Sequence, residues 1–360
     1  MKFLILTNHS YMLWQFRREL IEALLMQGKV VISTPFVGHE KDFVAIGCRC
    51  IETEVDRRGV NPLKDLKLYR KYRDIIQQEN PDMVITYSIK PNIYGGYACK
   101  KLHVPYCVNV QGLGTAFQKE PIASVVTLMY RMSLKRARTV FFENQDNADV
   151  FLQRGILKES SITVLNGAGV NLNRFVYTEY PAADKTVRFL FLGRIMKEKG
   201  VDELFEAAER LKKEYGDQVQ LDLVGFFEDS YKARVEQLVK EGVVVFHGFQ
   251  SDPIPFYQET NCVVLPSYHE GMSNVLLEAA AVGRPLITSD IPGCREAVLN
   301  GVSGYLCPKQ SAEEVYHCMK LFMQLGYEQR KQMGMEGRRH VEEVFDKEKV
   351  VAATLACMQP

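Results

Sequence analysis

Two glutamates with seven residues between them stand in the second half of the chain, one after a predicted strand and one within a predicted helix. The apolar run Cys262–Leu265, typical of a strand, ends at Pro266, and Glu270 lies in the turn that follows. Glu278 lies in a segment with the apolar pattern of a helix that begins near Ser273. The first N–H groups of a helix have no partner inside it and attract anions. We therefore expect a phosphate at the helix start, while the two carboxylates accept hydrogen bonds from ribose and sugar hydroxyls.

The donors of this anion site are expected to be backbone amides at the helix start, namely those of Met272, Ser273, Asn274 and Val275. The alternative is that both glutamates are solvated surface acids. Glu278, however, stands among leucines and alanines, where a solvated face is not expected.

A basic turn at the start of the second half supplies the complementary charge. Gly193 follows the apolar run Phe189–Leu192 and permits a tight turn close to a ligand. Arg194 and Lys199 come next and can neutralise a diphosphate, the first through its planar fork and the second as a compact charge. Basic residues in turns are often simply solvated, and that alternative stays open for this segment taken alone.

The segments that carry these residues belong to two successive series of short apolar runs, which alternate with amphipathic stretches of helical length. Such alternation predicts parallel sheets built from strand–helix–strand units. Clear helical patterns cover Leu63–Gln78 and Ile122–Arg136. The predicted strands are Lys2–Leu6, Val30–Thr34, Cys48–Glu52, Met83–Tyr87, Tyr106–Val110, Thr139–Glu143, Phe189–Leu192, Gln220–Val224, Val243–Phe246, Cys262–Leu265, Leu286–Thr288 and Gly304–Cys307.

The two series predict an α/β protein with two doubly wound, Rossmann-like domains, over residues 1–170 and 185–344. The stretch 171–185 has few periodic apolar residues and contains Pro181, and we interpret it as the interdomain linker. Ligands of doubly wound folds bind outside the carboxyl ends of the strands. The expected site is therefore a cleft between two facing domains.

Composition and charge restrict the class of protein. The chain has 360 residues, enough for two domains, and no apolar run reaches the ~18 residues that a spanning helix needs. The segment Met1–Thr7 lacks the pattern of a signal peptide, so a cytoplasmic location is expected. Residues 1–170 contain 23 Lys and Arg against 16 Asp and Glu, a balance of +7, whereas the remainder has 22 against 28, a balance of −6. The first half is expected to meet an anionic partner, and no nucleic acid is expected.

With these segments in place, the chain resembles the family 4 retaining glycosyltransferases of the GT-B fold over nearly its whole length. The resemblance implies that Glu278 binds the donor ribose and that Glu270 binds the transferred sugar. It implies that Arg194 and Lys199 hold the diphosphate, and that a last helix within 345–360 packs back on the first domain. Enzymes of this kind generally need no metal, and the sequence agrees because it contains no Asp-x-Asp. A UDP-sugar is expected as substrate, with no cofactor.

Two segments of the first half narrow this resemblance. Thr86–Gly95 and Val110–Phe117 look like those of bacterial members that elongate undecaprenyl-diphosphate-linked sugars, such as N-acetylgalactosaminyl- and galacturonosyltransferases. Each segment begins where a strand is predicted to end, so Lys90, Gly112 and Gly114 are expected on the acceptor side. Lys90 is a candidate for the acceptor diphosphate, and the alternative that it only stabilises a helix start stays open.

Two loops of the first half depart from the family pattern. Thr7–Tyr11 replaces the glycine-rich loop of many members, and Gln111 with Gly112 stands where many have a histidine. His9 is the best-placed imidazole that remains, so we treat it as a candidate catalytic residue. A structural loop histidine is the alternative.

The reaction itself follows from the carboxylates. A double displacement needs a carboxylate nucleophile, and both strong glutamates are assigned to hydroxyl binding. The hypothesis is therefore a front-face substitution in which the leaving phosphate takes the acceptor's proton. Two other functions stay open, a UDP-sugar epimerase of the same architecture and a non-catalytic protein that binds sugar nucleotides. The intact glutamates and basic residues argue against the second.

Basic side chains also cluster on two predicted helices of the first half. Side chains of this kind near an anionic leaflet contribute about 1 kcal/mol each. We predict reversible attachment to the inner face of the cytoplasmic membrane, where a lipid-diphosphate-linked saccharide acceptor is presented. The alternative is that both faces are only solvated. The two clusters consist of Lys64, Lys67 and Lys71, and of Arg131, Lys135 and Arg138.

Overall fold

The structure is a computed structural model that describes residues 1–56, 61–114, 117, 120–183 and 185–358. It divides into two compact units. Unit 1 comprises Met1–Ala168 together with Lys347–Pro360, and unit 2 comprises Gly169–Asp346.

Unit 1 is built on a parallel sheet with the strand order β3-β2-β1-β4-β5-β6-β7. The strands of its described residues are β1 Lys2–Leu6, β2 Lys29–Thr34, β3 Arg49–Glu52, β4 Met83–Tyr87, β5 Tyr106–Val110, β6 Thr139–Phe142 and β7 Ile162–Val164. The helices between them are α1 Ser10–Leu25, α2 Glu40–Ala45, α3 Pro62–Glu79, α4 Gly96–Leu102, α5 Glu120–Leu134 and α6 Gln145–Gln153.

The central strands of unit 1 read as continuous apolar runs because helices cover both faces of the sheet. All five residues of β4 are buried. In α3, Leu68, Tyr72 and Ile75 recur at helical spacing and are buried on one face. The helix begins where the Asn61 side chain accepts hydrogen bonds from two first-turn amides. Sequence pattern and cap therefore fix both the type and the start of this element.

The direction of winding in unit 1 reverses between β1 and β4. The chain winds from β1 to β2 on one side of the sheet, whereas β4 pairs with β1 on the other side. The loops that follow such neighbouring strands separate and leave a crevice at their carboxyl ends. His9 follows β1, and Lys90 follows β4, so the topology brings both to this switch point.

Unit 2 contains a second parallel sheet with the strand order β10-β9-β8-β11-β12-β13. Its strands are β8 Val187–Leu192, β9 Val219–Val224, β10 Val244–Gly248, β11 Cys262–Leu265, β12 Leu286–Ser289 and β13 Gly304–Cys307. Its helices are α7 Val201–Tyr215, α8 Lys232–Lys240, α9 Ile254–Glu259, α10 Asn274–Ala281, α11 Ala312–Gln324 and α12 Tyr327–Val344.

The switch point of unit 2 lies between β8 and β11, because β9 pairs with β8 on the other side. The basic turn that begins at Gly193 follows β8, and the loop that carries Glu270 follows β11. The two segments singled out by their chemistry therefore emerge at one crevice, where doubly wound folds bind their ligands.

The predicted α/β fold class is confirmed, and each of the twelve predicted strands lies within two residues of its expected bounds. The strand β7, which we did not predict, has three residues, and none of them is buried. A strand this short and exposed shows little apolar pattern, so its sequence resembles that of a loop.

The described part of the expected linker, residues 171–183, packs on unit 2. Phe175 and Tyr180 are buried, and the Thr178 amide donates a hydrogen bond to the Val282 carbonyl. The buried Arg284 guanidinium donates to the carbonyl of Glu179. Phe175 and Tyr180 are the only buried side chains in this described stretch, and the other anchors are backbone groups. The segment therefore lacks the apolar periodicity that would have identified it as part of a domain.

The final helix, α13, covers Lys347–Met358 and belongs to unit 1. The Nζ atom of Lys347 donates a 3.0 Å hydrogen bond to the carbonyl of Phe16 on α1. Val350 and Met358 are buried in the core of this unit. The chain thus returns to its first unit after completing the second.

Candidate active site

The two loops at the switch point of unit 2 are joined to each other. The Tyr268 amide donates a 2.9 Å hydrogen bond to the carbonyl of Glu198. Gly200 has φ of +69°, and a Cβ atom at this position would lie 2.0 Å from the carbonyl oxygen of Pro266. Only glycine combines that dihedral angle with so close an approach. The basic turn and the carboxylate loop therefore form one packed structure.

Lys199 and Glu270 meet across this junction. The Lys199 Nζ atom lies 2.5 Å from Oε1 of Glu270, and the Ser267 hydroxyl donates to the same oxygen at 2.8 Å. Only 17% of the Lys199 side chain and 13% of the Glu270 side chain are exposed. An ammonium has three donors, and a carboxylate has about four lone-pair sites. The pair can therefore still bind a phosphate oxygen and a sugar hydroxyl.

Glu278 lies on α10 and is half-buried. The buried Tyr257 hydroxyl donates a 2.9 Å hydrogen bond to its Oε2 atom. Burial raises the pKa of Tyr257 well above its ordinary value, and the Glu278 charge raises it further. The tyrosine is therefore a neutral donor that orients the carboxylate. Met272, before the start of α10, is buried in the core.

The start of α10 lies one residue after the predicted start, and the expected donors of the anion site change with it. The helix begins at Asn274 with Ser273 as its N-cap, and the Ser273 amide donates a 2.8 Å hydrogen bond to the Gly293 carbonyl. Our expectation that this amide is free is wrong, because the turn after β12 packs against the helix start. The first-turn amides of Asn274, Val275 and Leu276 have no acceptor inside the helix. These three amides are the donors that a phosphate can meet.

Arg194 is held beside the end of β9. Its guanidinium pairs with the Glu228 carboxylate, and 45% of its side chain is exposed. The Gly193 amide donates to the Val224 carbonyl at 3.0 Å, and a Cβ atom on Gly225 would lie 1.8 Å from the Gly193 oxygen. The turn is thus fixed against the next strand. A guanidinium has five N–H donors, so the ion pair leaves donors for a ligand.

His269 adds a titratable group beside Glu270. Burial lowers the pKa of His269 below its ordinary value, and the positive charge of Lys309 lowers it further. The imidazole is therefore mainly neutral at pH 7. Lys309 follows β13 and is exposed, and no pattern in the sequence distinguishes it from other surface lysines.

The switch point of unit 1 brings the loops after β1 and β4 together. The Ser88 hydroxyl donates a 2.7 Å hydrogen bond to Oδ1 of Asn8. Ser88 has φ of +75°, a conformation that is uncommon for residues other than glycine and that concentrates at functional sites. His9 caps α1, since its Nδ1 atom accepts from the Met12 amide at 3.3 Å. An accepting Nδ1 places the proton of the neutral ring on Nε2.

Lys90 already has a protein partner. Its Nζ atom lies 2.7 Å from Oδ1 of Asp65, and only 15% of its side chain is exposed. Burial raises the pKa of Tyr94, and a hydrogen bond with Asp65 raises it further. Lys90 therefore has a structural partner on α3, which is a different role from the stabilisation of a helix start that the sequence left open. The ammonium has two donors beyond this contact.

The segment from Val110 to Phe117 is described in part. Gly114 has φ of +62°, and a Cβ atom there would lie 3.2 Å from the Ile89 side chain in the loop after β4. Gly112 precedes it in the same loop, whereas Thr115 and Ala116 lie outside the described residues. The loop after β5 therefore packs against the loop that carries Lys90.

Two features are absent from the part of the chain that the structure describes. No group of three His, Cys, Asp or Glu residues there is arranged to hold a metal ion. Likewise, none of the helices in the described ranges is long and apolar enough to cross a bilayer.

Several contacts of the candidate site were not predicted from the sequence. Ser267 and Tyr257 support the two glutamates, Glu228 pairs with Arg194, and Asn8 pairs with Ser88. Ser267 lies in the same loop as Glu270, three residues before it, so this contact could have been predicted from the sequence. The others lie 21, 34 and 80 residues from their partners, and only the fold brings such pairs together.

Family models match both halves of the chain. Residues 2–144 match the model described as "Glycosyl transferase 4-like", and residues 178–340 match "Glycosyl transferases group 1". The two matches contain the candidate residues of unit 1 and of unit 2 respectively.

Similar proteins extend over most of the chain. The N,N'-diacetylbacillosaminyl-diphospho-undecaprenol alpha-1,3-N-acetylgalactosaminyltransferase of Campylobacter jejuni is 28% identical, and the match covers 89% of this chain and 88% of the relative. The capsular polysaccharide biosynthesis glycosyltransferase CapM of Staphylococcus aureus is 26% identical, with 80% and 79% covered. These relatives support a transferase rather than the epimerase or the non-catalytic binding protein that the sequence left open.

Solved structures share the fold. HepE from Anabaena, in complex with UDP, superposes with a TM-score of 0.80 at 17% identity, over 99% of this chain and all of the other. The galactosyltransferase WaaB of the lipopolysaccharide outer core gives a TM-score of 0.75 at 18% identity, with 99% of each chain covered. The chain belongs to the family 4 glycosyltransferases of the GT-B fold and functions in glycan biosynthesis.

Proposed function

We propose that this enzyme transfers an N-acetylhexosamine or a related hexose from a UDP-sugar to a saccharide carried on a lipid diphosphate, with retention of anomeric configuration. The observation that carries the proposal is the junction at the switch point of unit 2. There a lysine, a carboxylate and a helix N-terminus converge from the loops after β8 and β11. A nucleotide diphosphate with an attached sugar needs these three kinds of partner.

Unit 2 is the proposed donor unit. The diphosphate lies at the first-turn amides of α10, with Lys199 and Arg194 beside it, because a helix start and basic side chains favour negative charge. Glu278, oriented by the Tyr257 hydroxyl, accepts from the ribose hydroxyls. Glu270 accepts from the transferred sugar. UDP as the nucleotide is supported by the name of the HepE complex, a protein of the same fold.

The proposed reaction is a front-face substitution. The bond between the anomeric carbon and the diphosphate oxygen breaks, and the acceptor oxygen bonds to the same face of that carbon. The departing phosphate takes the proton of the acceptor hydroxyl, so UDP is the second product. Lys199 and Arg194 stabilise the charge that develops on the leaving group, and one such donor is worth roughly 2.7–4 kcal/mol by analogy with an oxyanion hole.

The proposals of retention and of metal independence are supported by the carboxylates and the cations of unit 2. Glu270 and Glu278 each serve in hydroxyl binding, so neither is assigned as a nucleophile in a double displacement. The cations of Lys199 and Arg194 occupy the role that a divalent metal would take beside a diphosphate. The proposed enzyme therefore works in the presence of a chelator.

Unit 1 is the proposed acceptor unit, with His9, Lys90 and the loop of Gly112 and Gly114 at its switch point. The C. jejuni relative acts, by its name, on a saccharide linked through a diphosphate to undecaprenol. Lys90 is proposed to meet the acceptor diphosphate, while the imidazole of His9 lies near the reacting hydroxyl. The fold brings both residues to the carboxyl ends of adjacent strands.

The proposed place of action is the cytoplasmic face of a membrane, with peripheral attachment through α3 and α5. The outer face of α5 presents four apolar side chains that are between 42% and 59% exposed. The chain has no acidic residue between Glu120 and Glu143, whereas four basic residues follow in that interval. An exposed apolar face with adjoining positive charge is suited to an anionic bilayer. The apolar residues are Ile122, Val125, Leu128 and Met132.

The helix α3 offers a similar surface. Leu63 and Leu66 are exposed at 80% and 44%, and the exposed Lys64, Lys67 and Lys71 lie beside them. Lys64 also pairs with Asp56 at 3.5 Å. Two such faces on one unit supply both apolar and electrostatic contributions to membrane binding.

A transfer assay tests the proposed reaction. The enzyme is incubated with UDP-N-acetylhexosamines and UDP-hexoses, and with geranyl diphosphate that carries N-acetylglucosamine, N-acetylgalactosamine or a diacetamido sugar. We expect release of UDP and a disaccharide on the geranyl diphosphate. Equal transfer to a free monosaccharide would contradict the lipid-linked acceptor, and isomerised UDP-sugar without any acceptor would indicate an epimerase.

Vesicle sedimentation tests the place of action. We expect binding to phosphatidylglycerol vesicles that weakens with salt, and little binding to phosphatidylcholine. The variant Leu128→Ser should reduce binding, whereas Val239→Ser, at an exposed apolar position on α8 of unit 2, should not. Salt-insensitive binding to both lipids, or binding to neither, would contradict peripheral attachment.

A further inference from the structure

Four aromatic rings form a continuous row at the carboxyl edge of the sheet in unit 1. The rings of His9 and Tyr11 lie 6.2 Å apart, those of Tyr11 and His39 lie 5.5 Å apart, and those of His39 and Trp14 lie 5.6 Å apart. His9, Tyr11 and Trp14 come from the loop after β1 and the start of α1, and His39 comes from the loop after β2. The row therefore begins at the switch point and leads away from it on the β2 side.

The outer part of this row is held firmly by its neighbours. Trp14 meets the ring of Phe43 edge-on at 5.1 Å, and the Arg18 guanidinium lies 4.9 Å over the Trp14 ring. His39 stacks on Trp14 at an interplanar angle of 15°, and its Nδ1 atom lies 2.7 Å from a carboxylate oxygen of Asp42. A row fixed on several sides is preorganised, which lowers the entropic cost of binding a ligand.

The rings are partly exposed. None of the four belongs to the fully buried core, and 24% of the His39 side chain is exposed. His39 has φ of +62°, which is uncommon for a residue other than glycine and concentrates at binding and catalytic sites. Each ring also carries a polar atom at its edge. Small-molecule sites combine aromatic walls with a few polar groups in this way.

We propose that this row binds the saccharide of the acceptor. The apolar C–H faces of pyranose rings pack on Tyr11 and His39, and sugar hydroxyls bond to the polar edges of these rings. The row starts at His9, beside the hydroxyl that receives the new sugar, and it lies on the side of His9 away from Lys90. Its rings therefore meet the part of the acceptor saccharide opposite the diphosphate. The inference rests on the proposed function of unit 1 and adds the groups that recognise the acceptor sugar.

Tryptophan fluorescence reads this site directly because Trp14 is the only tryptophan in the chain. The probe is the geranyl-diphosphate saccharide that supports transfer in the assay above. We expect its titration to change the Trp14 emission, with saturation near the acceptor KM. Geranyl diphosphate without a sugar should leave the emission unchanged, and so should UDP.

Two outcomes would overturn the proposal while leaving the transferase function intact. One is a change in emission with sugar-free geranyl diphosphate as large as that with the saccharide, which would assign the row to lipid or phosphate. The other is unchanged emission at a probe concentration that saturates transfer. If no probe supports transfer at all, the proposed function itself fails.

Substitutions provide the second readout. Tyr11→Ala and His39→Ala should each raise the acceptor KM about three- to tenfold, the range expected for the loss of one aromatic contact. The donor KM and the kcat at saturating acceptor should stay within twofold. Tyr11→Phe removes the hydroxyl but keeps the ring, so it should raise the acceptor KM less than Tyr11→Ala does.

A matched control lies elsewhere on unit 1. The rings of Tyr69 on α3 and Tyr97 on α4 form a partly exposed pair 5.6 Å apart, outside the row. Tyr97→Ala should leave the acceptor KM unchanged. An equal rise in all three alanine variants, or no rise in variants whose Tm shows that they fold, would overturn the proposal.

Discussion

The two units are built on the same kind of parallel sheet, yet their switch points are held together differently. In unit 2 the loops after β8 and β11 are joined by a backbone hydrogen bond and by a lysine–carboxylate contact. They also approach so closely at Gly200 that a Cβ atom there would overlap the Pro266 carbonyl. In unit 1 the loops after β1 and β4 are joined by the side chains of Ser88 and Asn8. Backbone contacts define a geometry more tightly than side chains do, because they involve fewer rotatable bonds.

This difference agrees with what the two units are proposed to bind. A nucleotide diphosphate presents the same charged groups every time, and a fixed arrangement of amides and cations suits it. An acceptor saccharide is recognised through ring faces and hydroxyls, which partly exposed aromatic side chains can meet. Architecture is therefore shared by the two units, whereas the chemistry of each site comes from the loops placed upon it.

The largest expected effect concerns the lysine of unit 2. Lys199→Met should lower kcat about 10²- to 10³-fold, because leaving-group charge then loses a preorganised cation. Lys197→Met, an exposed position on the same 3-10 turn, is the control and should keep its kcat. Steady-state kinetics of both variants measure kcat and the donor KM. A change of Lys199→Met confined to the donor KM would contradict a role in the transition state.

The next effect tests the backbone junction of unit 2. Gly200 and Gly242 have φ of +69° and +68°, but only at Gly200 does an added Cβ atom meet other atoms. Gly242→Ala should lower the free energy of unfolding by about 1–2 kcal/mol, the cost of a left-handed residue. Gly200→Ala should lower it by roughly 1–3 kcal/mol more, because the loop at Pro266 has to move. Urea denaturation of both variants measures the difference, and equal losses would mean that the junction is not tight.

A smaller effect is expected for the donor carboxylate. Glu278→Gln keeps the size of the side chain but loses a charged acceptor, and hydrogen bonds to charged groups are worth ~1.5–3 kcal/mol. Affinity for UDP should fall about tenfold or more in calorimetric titrations. Tyr257→Phe, which removes only the orienting hydroxyl, should have a lesser effect. Unchanged UDP affinity in a folded Glu278→Gln variant would withdraw the assignment.

The smallest effect belongs to the acceptor side. Lys90→Met should raise the KM for the geranyl-diphosphate saccharide about threefold or more by removing a charge-assisted contact with the diphosphate, while UDP affinity stays constant. Asp65→Asn is the matched variant, because it breaks the Lys90–Asp65 pair but retains the ammonium. If Lys90 serves only that ion pair, both variants will lose stability alike and neither will change the acceptor KM.

Much of this architecture could be predicted from the sequence because parallel strands are buried on both faces and read as apolar runs. Such runs located β1, β4 and β11 to the residue. The candidate residues of unit 2 were predictable for a related reason, since a strand end followed by a helix start gives both a position and a chemistry. The element that we did not predict, β7, has no local apolar pattern because it consists of three partly exposed residues.

Partnerships were the least predictable part of the site. The Ser273 amide donates a hydrogen bond to the Gly293 carbonyl. Lys90 forms an ion pair with Asp65, and Arg194 forms one with Glu228. Each partner comes from another loop or helix, at a separation that no local pattern encodes. The aromatic row of unit 1 joins residues of two loops in the same way. The sequence therefore predicts which groups are candidates for chemistry, and the fold determines which of them meet.

The most direct test of the proposed reaction is the anomeric configuration of the product made in the presence of EDTA. The disaccharide formed on geranyl diphosphate is isolated, and the anomeric proton coupling of the new bond is read by NMR. We expect the same configuration as in the UDP-sugar, at a rate that EDTA does not lower. An inverted linkage, or turnover that disappears with EDTA and returns with magnesium or manganese, would contradict it.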